Sequence, residues 1–309
     1  MSRIGIVSKR GWFLFVALGI IWGTPYLFIR IAVADLSPAV VVFGRVMIAA
    51  IILLPIAIHQ GHARSLRTHW KGILTFAALE MCIPFGALGV AEKEISSSLT
   101  GLLIAMVPLI NAVISRQMGL DSVWDVRRII GLFVGFFGVG MLVGFDISAS
   151  NYWAIALCLV AATGYAVGPI IITKMLSDVA SIGVIAWSLL VAGLIYAPVV
   201  AYEVLNDSWR APGITEVSQG AIFSVIALGV LCSAIAFVAL FALIKEVGPT
   251  RTTVITYINP AVAIILGVIV LSEPLTTGIM IGFPLVLVGS VMATRRNVAA
   301  VGVSAAEER

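Results

Sequence analysis

The sequence predicts an all-α membrane protein with ten transmembrane helices. Three observations support this fold class: 61% of the 309 residues are hydrophobic, only 11% are charged, and the apolar residues gather in long stretches. Soluble domains carry roughly 25% charged residues, so a water-exposed globular surface is excluded. A helix of about 20 apolar residues rises about 30 Å, which is the thickness of the hydrocarbon core of a bilayer.

Each predicted span is one apolar stretch, and short polar turns separate the spans. The first follows a basic start, and its apolar run from Trp12 to Ile29 is longer than the core of a secretory signal. We therefore interpret it as a membrane helix. In order, the spans cover residues 12–32, 38–58, 70–90, 96–115, 128–145, 152–173, 181–202, 219–243, 250–271 and 275–294.

The distribution of Lys and Arg predicts the orientation, because positive charge is enriched on the cytoplasmic side of membrane proteins. With the N-terminus inside, Arg30, Lys93 and Arg210 fall on the outer side and Arg45 falls within the second span. The other fifteen of the nineteen basic residues fall on the inner side, so both termini are predicted to be cytoplasmic. These fifteen are Arg3, Lys9, Arg10, Arg64, Arg67, Lys71, Arg116, Arg127, Arg128, Lys174, Lys245, Arg251, Arg295, Arg296 and Arg309.

The two halves of the chain echo each other. "GTPYLFIR" (23–30) parallels "VGPIIITK" (167–174), and "EISSSLTGLLIAMVP" (94–108) parallels "EVGPTRTTVITYINP" (246–260). Five spans per half is an odd number, so the second half enters the membrane from the opposite side. Inverted repeats of this kind suit alternating access.

The predicted repeats are two five-helix domains. They cover residues 10–147 and 151–297, and a cytoplasmic tail follows at 298–309.

Three features of the sequence are shared with one known group of membrane proteins: "GIIWGTPYLFIR" (19–30), Pro108, and "INPAVAIILGVIVLSEPLT" (258–276), in which Glu273 follows Pro260 by thirteen residues. On these features the sequence resembles the drug/metabolite transporter superfamily, of the ten-helix type with two EamA domains. The first half departs from this pattern, because Asp121 stands thirteen residues after Pro108.

The resemblance implies secondary transport, often export, of amino acids, metabolites or drugs. It also implies a central cavity surrounded by helices, with the fifth and tenth spans at the periphery. Within the superfamily, the chain resembles bacterial aromatic amino-acid exporters.

Two ionisable residues lie deep in predicted spans, Arg45 in the second and Glu80 in the third. Such residues are costly in a membrane and usually functional. A short turn joins the two spans, so an ion pair that fixes helix packing is feasible. Two functional interpretations stay open beside it: the pair binds the carboxylate and amine of a zwitterionic substrate, or Glu80 carries a proton.

Further candidates for the substrate site are polar or aromatic residues predicted within the membrane, and for each of them the alternative is ordinary packing. They are Trp22, Tyr26, Asn111, Tyr165, Trp187, Tyr257 and Asn259. Prolines in spans remove a backbone hydrogen bond and are predicted to break helices and permit gating. These are Pro25, Pro84, Pro108, Pro169 and Pro260.

Glycines crowd the fifth span, and "GIMIG" (278–282) opens the tenth. Small residues let helices approach closely in a bilayer. We expect these two spans to pack within one monomer, with a dimer interface as the alternative. The glycines of the fifth span are Gly131, Gly135, Gly138, Gly140 and Gly144.

The function that fits these patterns is export of small metabolites across the cytoplasmic membrane by alternating access. Amino acids with aromatic or apolar side chains are the expected substrates, and the lipid bilayer is the other partner. An exporter of drugs or organic cations and a passive metabolite channel are the alternatives. We predict no enzymatic activity, cofactor, metal or nucleic-acid partner, since HExxH, GxSxG and P-loop motifs are missing from the sequence.

Overall fold

The computed structural model describes residues 8–119, 126–146, 152–247 and 252–294, and its main elements are long helices. Several of them begin at a serine whose hydroxyl accepts a backbone N–H of the first turn, as Ser37 does from Val40 and Ser96 from Leu99. In chain order the main helices are α1 (Lys9–Val33), α2 (Pro38–His59), α3 (Trp70–Ala91), α4 (Ser97–Gln117), α5 (Val126–Asp146), α6 (Tyr152–Met175), α7 (Ser181–Leu205), α8 (Gln219–Val247), α9 (Ile255–Leu271) and α10 (Thr277–Thr294).

Within the described residues, eight of these helices are long and apolar enough to cross a membrane. The two others, α5 and the 17-residue α9, occupy the positions of the fifth and ninth predicted spans. The all-helical membrane fold is therefore confirmed, and the count of ten crossings stays a prediction.

Proline interrupts three of the helices. In α1 the helix stops at Gly23 and resumes at Pro25, in α4 it stops at Ile104 and resumes one residue before Pro108, and in α9 a 3₁₀ turn precedes Pro260. Proline disfavours helical backbone in the residue before it and suits the first turn of the helix after it. Interruptions are present at Pro25, Pro108 and Pro260, whereas α3 continues through Pro84 as one helix, so the break predicted at Pro84 is absent. Gating at these prolines stays a prediction.

Pro169 behaves differently, and the break predicted there is wrong. It lies inside the continuous helix α6. Pro169 lacks the N–H that would bond the carbonyl of Tyr165, four residues earlier, but the loss of this one bond does not end the helix.

Two π-helical segments stand at matching places in α3 and α8. They are Ala77–Cys82 and Val230–Ile235, each six residues long, and each ends in an N–H that bonds the carbonyl five residues earlier. A π-helical turn is rare and frequently marks a functional site. The fourth residue is polar in both segments: Glu80 in α3 and Ser233 in α8.

Glycines bring α5 and α10 into close antiparallel contact. An added Cβ at Gly131 would lie 2.6 Å from the backbone nitrogen of Ala293, and one at Gly138 would lie 2.9 Å from that of Val286. The packing expected within one monomer is thus present, and these glycine faces are covered by the chain itself. The monomeric state stays a prediction.

At each end of the helical bundle, a loop from the first half of the chain contacts a loop from the second half. At the end that the sequence predicts to be outer, the backbone N–H of Ser37 donates to Trp209 and that of Ala211 donates to Asp35. At the opposite end His69 Nε2 lies 2.9 Å from Asp178 Oδ2. These contacts hold the α1–α2 turn to the α7–α8 loop and the α2–α3 loop to the α6–α7 turn.

Candidate functional site

A buried guanidinium lies between the two halves of the sequence. Arg45 of α2 is only 7% exposed, and its Nε donates to Ser233 Oγ of α8 at 3.0 Å. Its Cζ lies 3.8 Å from the ring centroid of Phe85 on α3. A cation over a desolvated aromatic ring is stabilised by about 2 kcal/mol.

Aromatic side chains surround this group. The Phe85 and Tyr165 rings lie 6.5 Å apart, and Tyr26 is buried within electrostatic range of Arg45. We call Tyr26, Arg45, Phe85, Tyr165 and Ser233 the Arg45 site. Helices α1, α2, α3, α6 and α8 each contribute one residue, so both halves of the chain build it.

Glu80 lies against α6. Its Oε2 is buried and has no hydrogen-bond partner among the described residues. An added Cβ at Gly168 would collide with that oxygen, and one at Gly164 would collide with the carbonyl oxygen of Leu79. Gly164 and Gly168 are four residues apart and lie on one face of α6. Because neither has a side chain, the π-helical segment of α3 packs closely against this face.

The ion pair considered between Arg45 and Glu80 does not form. No nitrogen of Arg45 lies within 4.0 Å of a Glu80 oxygen in the described structure, in which Arg45 bonds Ser233 instead. The helical turn explains the difference: Phe85, five residues after Glu80, faces the guanidinium, while the carboxylate faces α6. The roles of Glu80 as a substrate contact or as a proton carrier stay predictions.

The remaining candidates take part in contacts between helices. Asn111 donates to the Ala166 carbonyl at 2.7 Å, and Trp187 donates to the His62 carbonyl at 2.9 Å. Trp22 packs edge-to-face on Phe237, with ring centroids 6.1 Å apart.

Two candidates sit beside α1 and α10. The Tyr257 hydroxyl lies 2.6 Å from Thr294 Oγ1. With its amide nitrogen turned toward the neighbouring carbonyls, Asn259 donates to Gly19 at 3.0 Å. The structure therefore brings Tyr26, Arg45 and Tyr165 together and places Trp22, Trp187, Tyr257 and Asn259 in other contacts. Their roles in binding substrate stay predictions.

Three polar or aromatic residues escape the sequence analysis. Phe85 and Ser233 look like ordinary span residues, and only the three-dimensional structure brings them to Arg45. Glu92 follows α3 and precedes Lys93 and Glu94, a charged run typical of a solvated turn, yet its side chain is fully buried. A carboxylate twelve residues after Glu80 is the one available signal, and it is weak.

At the end of the bundle that carries the α2–α3 loop, the contact between His69 and Asp178 is at the surface. A backbone N–H and the His69 side chain both hold the pKa of Asp178 below its usual value, and the carboxylate itself is exposed.

The helical bundle and its buried polar centre define a multi-pass membrane transporter. The chain belongs to the EamA-like transporter family, whose model matches residues 9–144 and 152–295. This confirms the superfamily that the sequence resembles.

Relatives with similar sequences carry transporter names. The Escherichia coli K12 protein named uncharacterized inner membrane transporter YedA is 29% identical over 81% of this chain and 79% of its own length. The Bacillus subtilis protein named uncharacterized transporter YvbV is 25% identical over 93% of each chain. The chain is accordingly a multi-pass protein of the inner membrane.

A solved structure shares the fold. A protein crystal structure that is 18% identical in sequence superposes with a TM-score of 0.64, covering 94% of this chain and 98% of that chain. At this identity the likeness shows the fold alone.

Proposed function

We propose that the chain is a secondary transporter that exports amino acids with aromatic or apolar side chains by alternating access. The observation that carries the proposal is the buried Arg45 site. It combines one fixed positive charge with three aromatic rings between the two halves of the chain.

The guanidinium suits a carboxylate. Only its Nε has a hydrogen-bond partner among the described residues, Ser233, so the terminal nitrogens keep their donors for a ligand. Arginine binds carboxylates through two parallel N–H donors, and Phe85 stacks on the guanidinium face without blocking that edge.

The rings suit an apolar or aromatic side chain. Tyr26, Phe85 and Tyr165 supply flat apolar surface around the charge, and small-molecule sites are typically apolar with a few placed polar groups. Glu80 is a carboxylate elsewhere on α3 and remains a candidate for the substrate amine or for a coupling proton.

The two matched ranges of the family model support two domains, at 10–147 and 151–297, and the matching π-helical segments support their likeness. With five spans in each domain and cytoplasmic termini, the second domain would be inverted. Rocking of two such halves opens a shared site to either side in turn.

The test is uptake and counterflow in proteoliposomes with two matched probes, phenylalanine and phenethylamine, which lacks the carboxylate. We expect saturable counterflow of phenylalanine and none of phenethylamine. Arg45→Lys should weaken phenylalanine affinity about tenfold to a hundredfold, because a hydrogen bond to a charged group contributes about 1.5–3 kcal/mol.

Arg64→Lys, on the exposed α2–α3 loop, is the matched control and should behave as wild type. Transport of phenethylamine in preference to phenylalanine would favour the organic-cation exporter. Flux without counterflow would favour the channel.

A further inference from the structure

A second carboxyl group, which the proposed substrate site does not use, is enclosed at the outer end of the bundle. Glu92 directly follows α3 and is 0% exposed. Both of its side-chain oxygens are buried without a hydrogen-bond partner in the part of the chain that the structure describes. An ionised carboxylate without donors is strongly disfavoured in such surroundings, whereas a protonated carboxyl is tolerated.

The nearest arginine does not neutralise this group. Arg30 Nη1 donates to the backbone carbonyl of Glu92, and the two side chains form no ion pair. The guanidinium is therefore held next to the carboxyl group but is bonded to the main chain.

Glu273, from the other half of the chain, provides the contrast. It accepts the backbone N–H groups of Ser97 and Ser98 at 2.7 and 3.0 Å and the Ser98 hydroxyl at 2.6 Å. Three donors at the N-terminus of α4 suit an ionised carboxylate. Ser97 Oγ, also at this end, is buried and has no hydrogen-bond partner in the described part of the chain.

Burial is the main influence on Glu92: it raises the pKa of Glu92 well above the usual value, the Arg30 guanidinium lowers it, and the negative charge of Glu273 raises it. The ionisable groups that face Glu92 come from four parts of the fold. They are Tyr26 and Arg30 of α1, Arg45 of α2, Cys158 and Tyr165 of α6, and Glu273 after α9.

We propose that Glu92 is a proton-binding site at the outer end, protonated in this closed arrangement, and that Arg30 becomes its counter-ion when the proton leaves. The inference rests on the proposed alternating access. When the outer end opens, the Glu92 O–H bond breaks, the proton passes to water, and the carboxylate pairs with Arg30. Closure requires the proton to return, so the closed outer end is reached only with Glu92 neutral.

The first experiment measures protonation directly and does not depend on transport. Infrared spectra of the full-length protein in lipid vesicles at neutral pH should contain the carbonyl stretch of a protonated carboxyl group that Glu92→Gln removes. Glu94→Gln, an exposed neighbour, should leave the spectrum unchanged. Identical protonated-carboxyl bands in wild type and Glu92→Gln would overturn the proposal.

A second variant keeps the native carboxyl in place. In Arg30→Gln the Glu92 band should persist to higher pH than in wild type, because the cation that favours the ionised form is gone. A band that titrates at the same pH as in wild type would contradict the role of Arg30.

The transport measurement distinguishes failure of this proposal from failure of the proposed function. Glu92→Gln should abolish the response of phenylalanine uptake to a pH gradient while counterflow at equal pH continues. A full gradient response in this variant would overturn Glu92 as the coupling site. If the wild type moves no phenylalanine, the proposed substrate fails, while the infrared result still decides whether Glu92 binds a proton.

Discussion

The π-helical segments of α3 and α8 share a backbone and differ in chemistry. In α8 the polar residue, Ser233, is fully bonded: it accepts from Arg45 and donates to the Leu228 carbonyl at 2.9 Å. In α3 the corresponding residue, Glu80, has a buried oxygen with no partner among the described residues. The polar residue of α8 is thus bonded to a charge, whereas the polar residue of α3 has a buried oxygen that accepts no hydrogen bond from the described residues.

This difference teaches that similar halves need not do the same work. An anchored Ser233 holds Arg45 in one position, which suits recognition of a substrate carboxylate. A carboxyl group without fixed donors can gain or lose a proton or meet a ligand without first breaking a protein contact. Four variants, ordered by expected effect, test this division.

Gly164→Ala should lower the free energy of unfolding the most, because the new Cβ would collide with the main-chain carbonyl of Leu79 inside the π-helical segment of α3. Overpacking of this kind costs about 1–3 kcal/mol. Thermal unfolding can be followed with a thiol-reactive dye, since the three cysteines Cys82, Cys158 and Cys232 are free and buried.

Gly140→Ala is the matched control for this variant, because an added Cβ there meets nothing within 4 Å. It should stabilise the helix by about 0.5–1 kcal/mol. Equal unfolding midpoints for the two variants would show that α6 does not hold the α3 segment in place.

Ser233→Ala should give the second-largest loss of unfolding free energy. It removes the only hydrogen-bond partner of Arg45 in the described structure, and a bond to a charged group contributes about 1.5–3 kcal/mol. Ser224→Ala serves as the control, since that hydroxyl is also on α8 and buried but has no hydrogen-bond partner among the residues that the structure describes. A drop for Ser224→Ala as large as that for Ser233→Ala would contradict the anchoring of Arg45.

Glu80→Gln should change the unfolding free energy by less than about 1 kcal/mol, because the buried Oε2 accepts no hydrogen bond from the described residues. Breaking a buried ion pair would cost about 3–5 kcal/mol instead. A loss of that size, measured with the same dye, would reveal a partner for Glu80 and remove the contrast between the segments.

These segments also show how far the sequence predicts the molecule. Hydropathy locates the helices to within a few residues, because twenty apolar residues in a row have one stable solution in a bilayer. Breaks before Pro25 and Pro108 follow from local sterics. The π-helical segments do not, because nothing in "AALEMC" differs locally from an ordinary helix.

The candidate site can also be predicted only in part. Arg45 and Glu80 stand out because charge is rare in spans, so the sequence identifies them. Their partners depend on which way each helix turns, and that is fixed by distant contacts such as Glu80 against Gly168. Glu92 is missed because its burial depends on packing around it and its own neighbours are charged. Asp121, which stands thirteen residues after Pro108 where the second half has Glu273, lies outside the described residues.

Of the four variants, Asp178→Asn should change the unfolding midpoint the least, because the carboxylate is exposed. Its pKa is lowered in the fold, so its contribution is present above the unfolded-state pKa and is lost as the pH falls through the folded-state value. The unfolding midpoints of wild type and variant should therefore differ slightly at neutral pH and converge in acid. Divergence on acidification would contradict this assignment.

The contact between α5 and α10 has a consequence for biosynthesis. A ribosome completes the glycines of α5 long before their partners in α10 exist, and chains fold from the N-terminus as they emerge. Until α10 is made, Gly131 and Gly138 lack the backbone that packs against them in the finished fold. A chain truncated before Thr277 would leave the glycine backbone of α5 uncovered. This exposed surface distinguishes unfinished chains from finished ones and is a feature that membrane quality control can recognise.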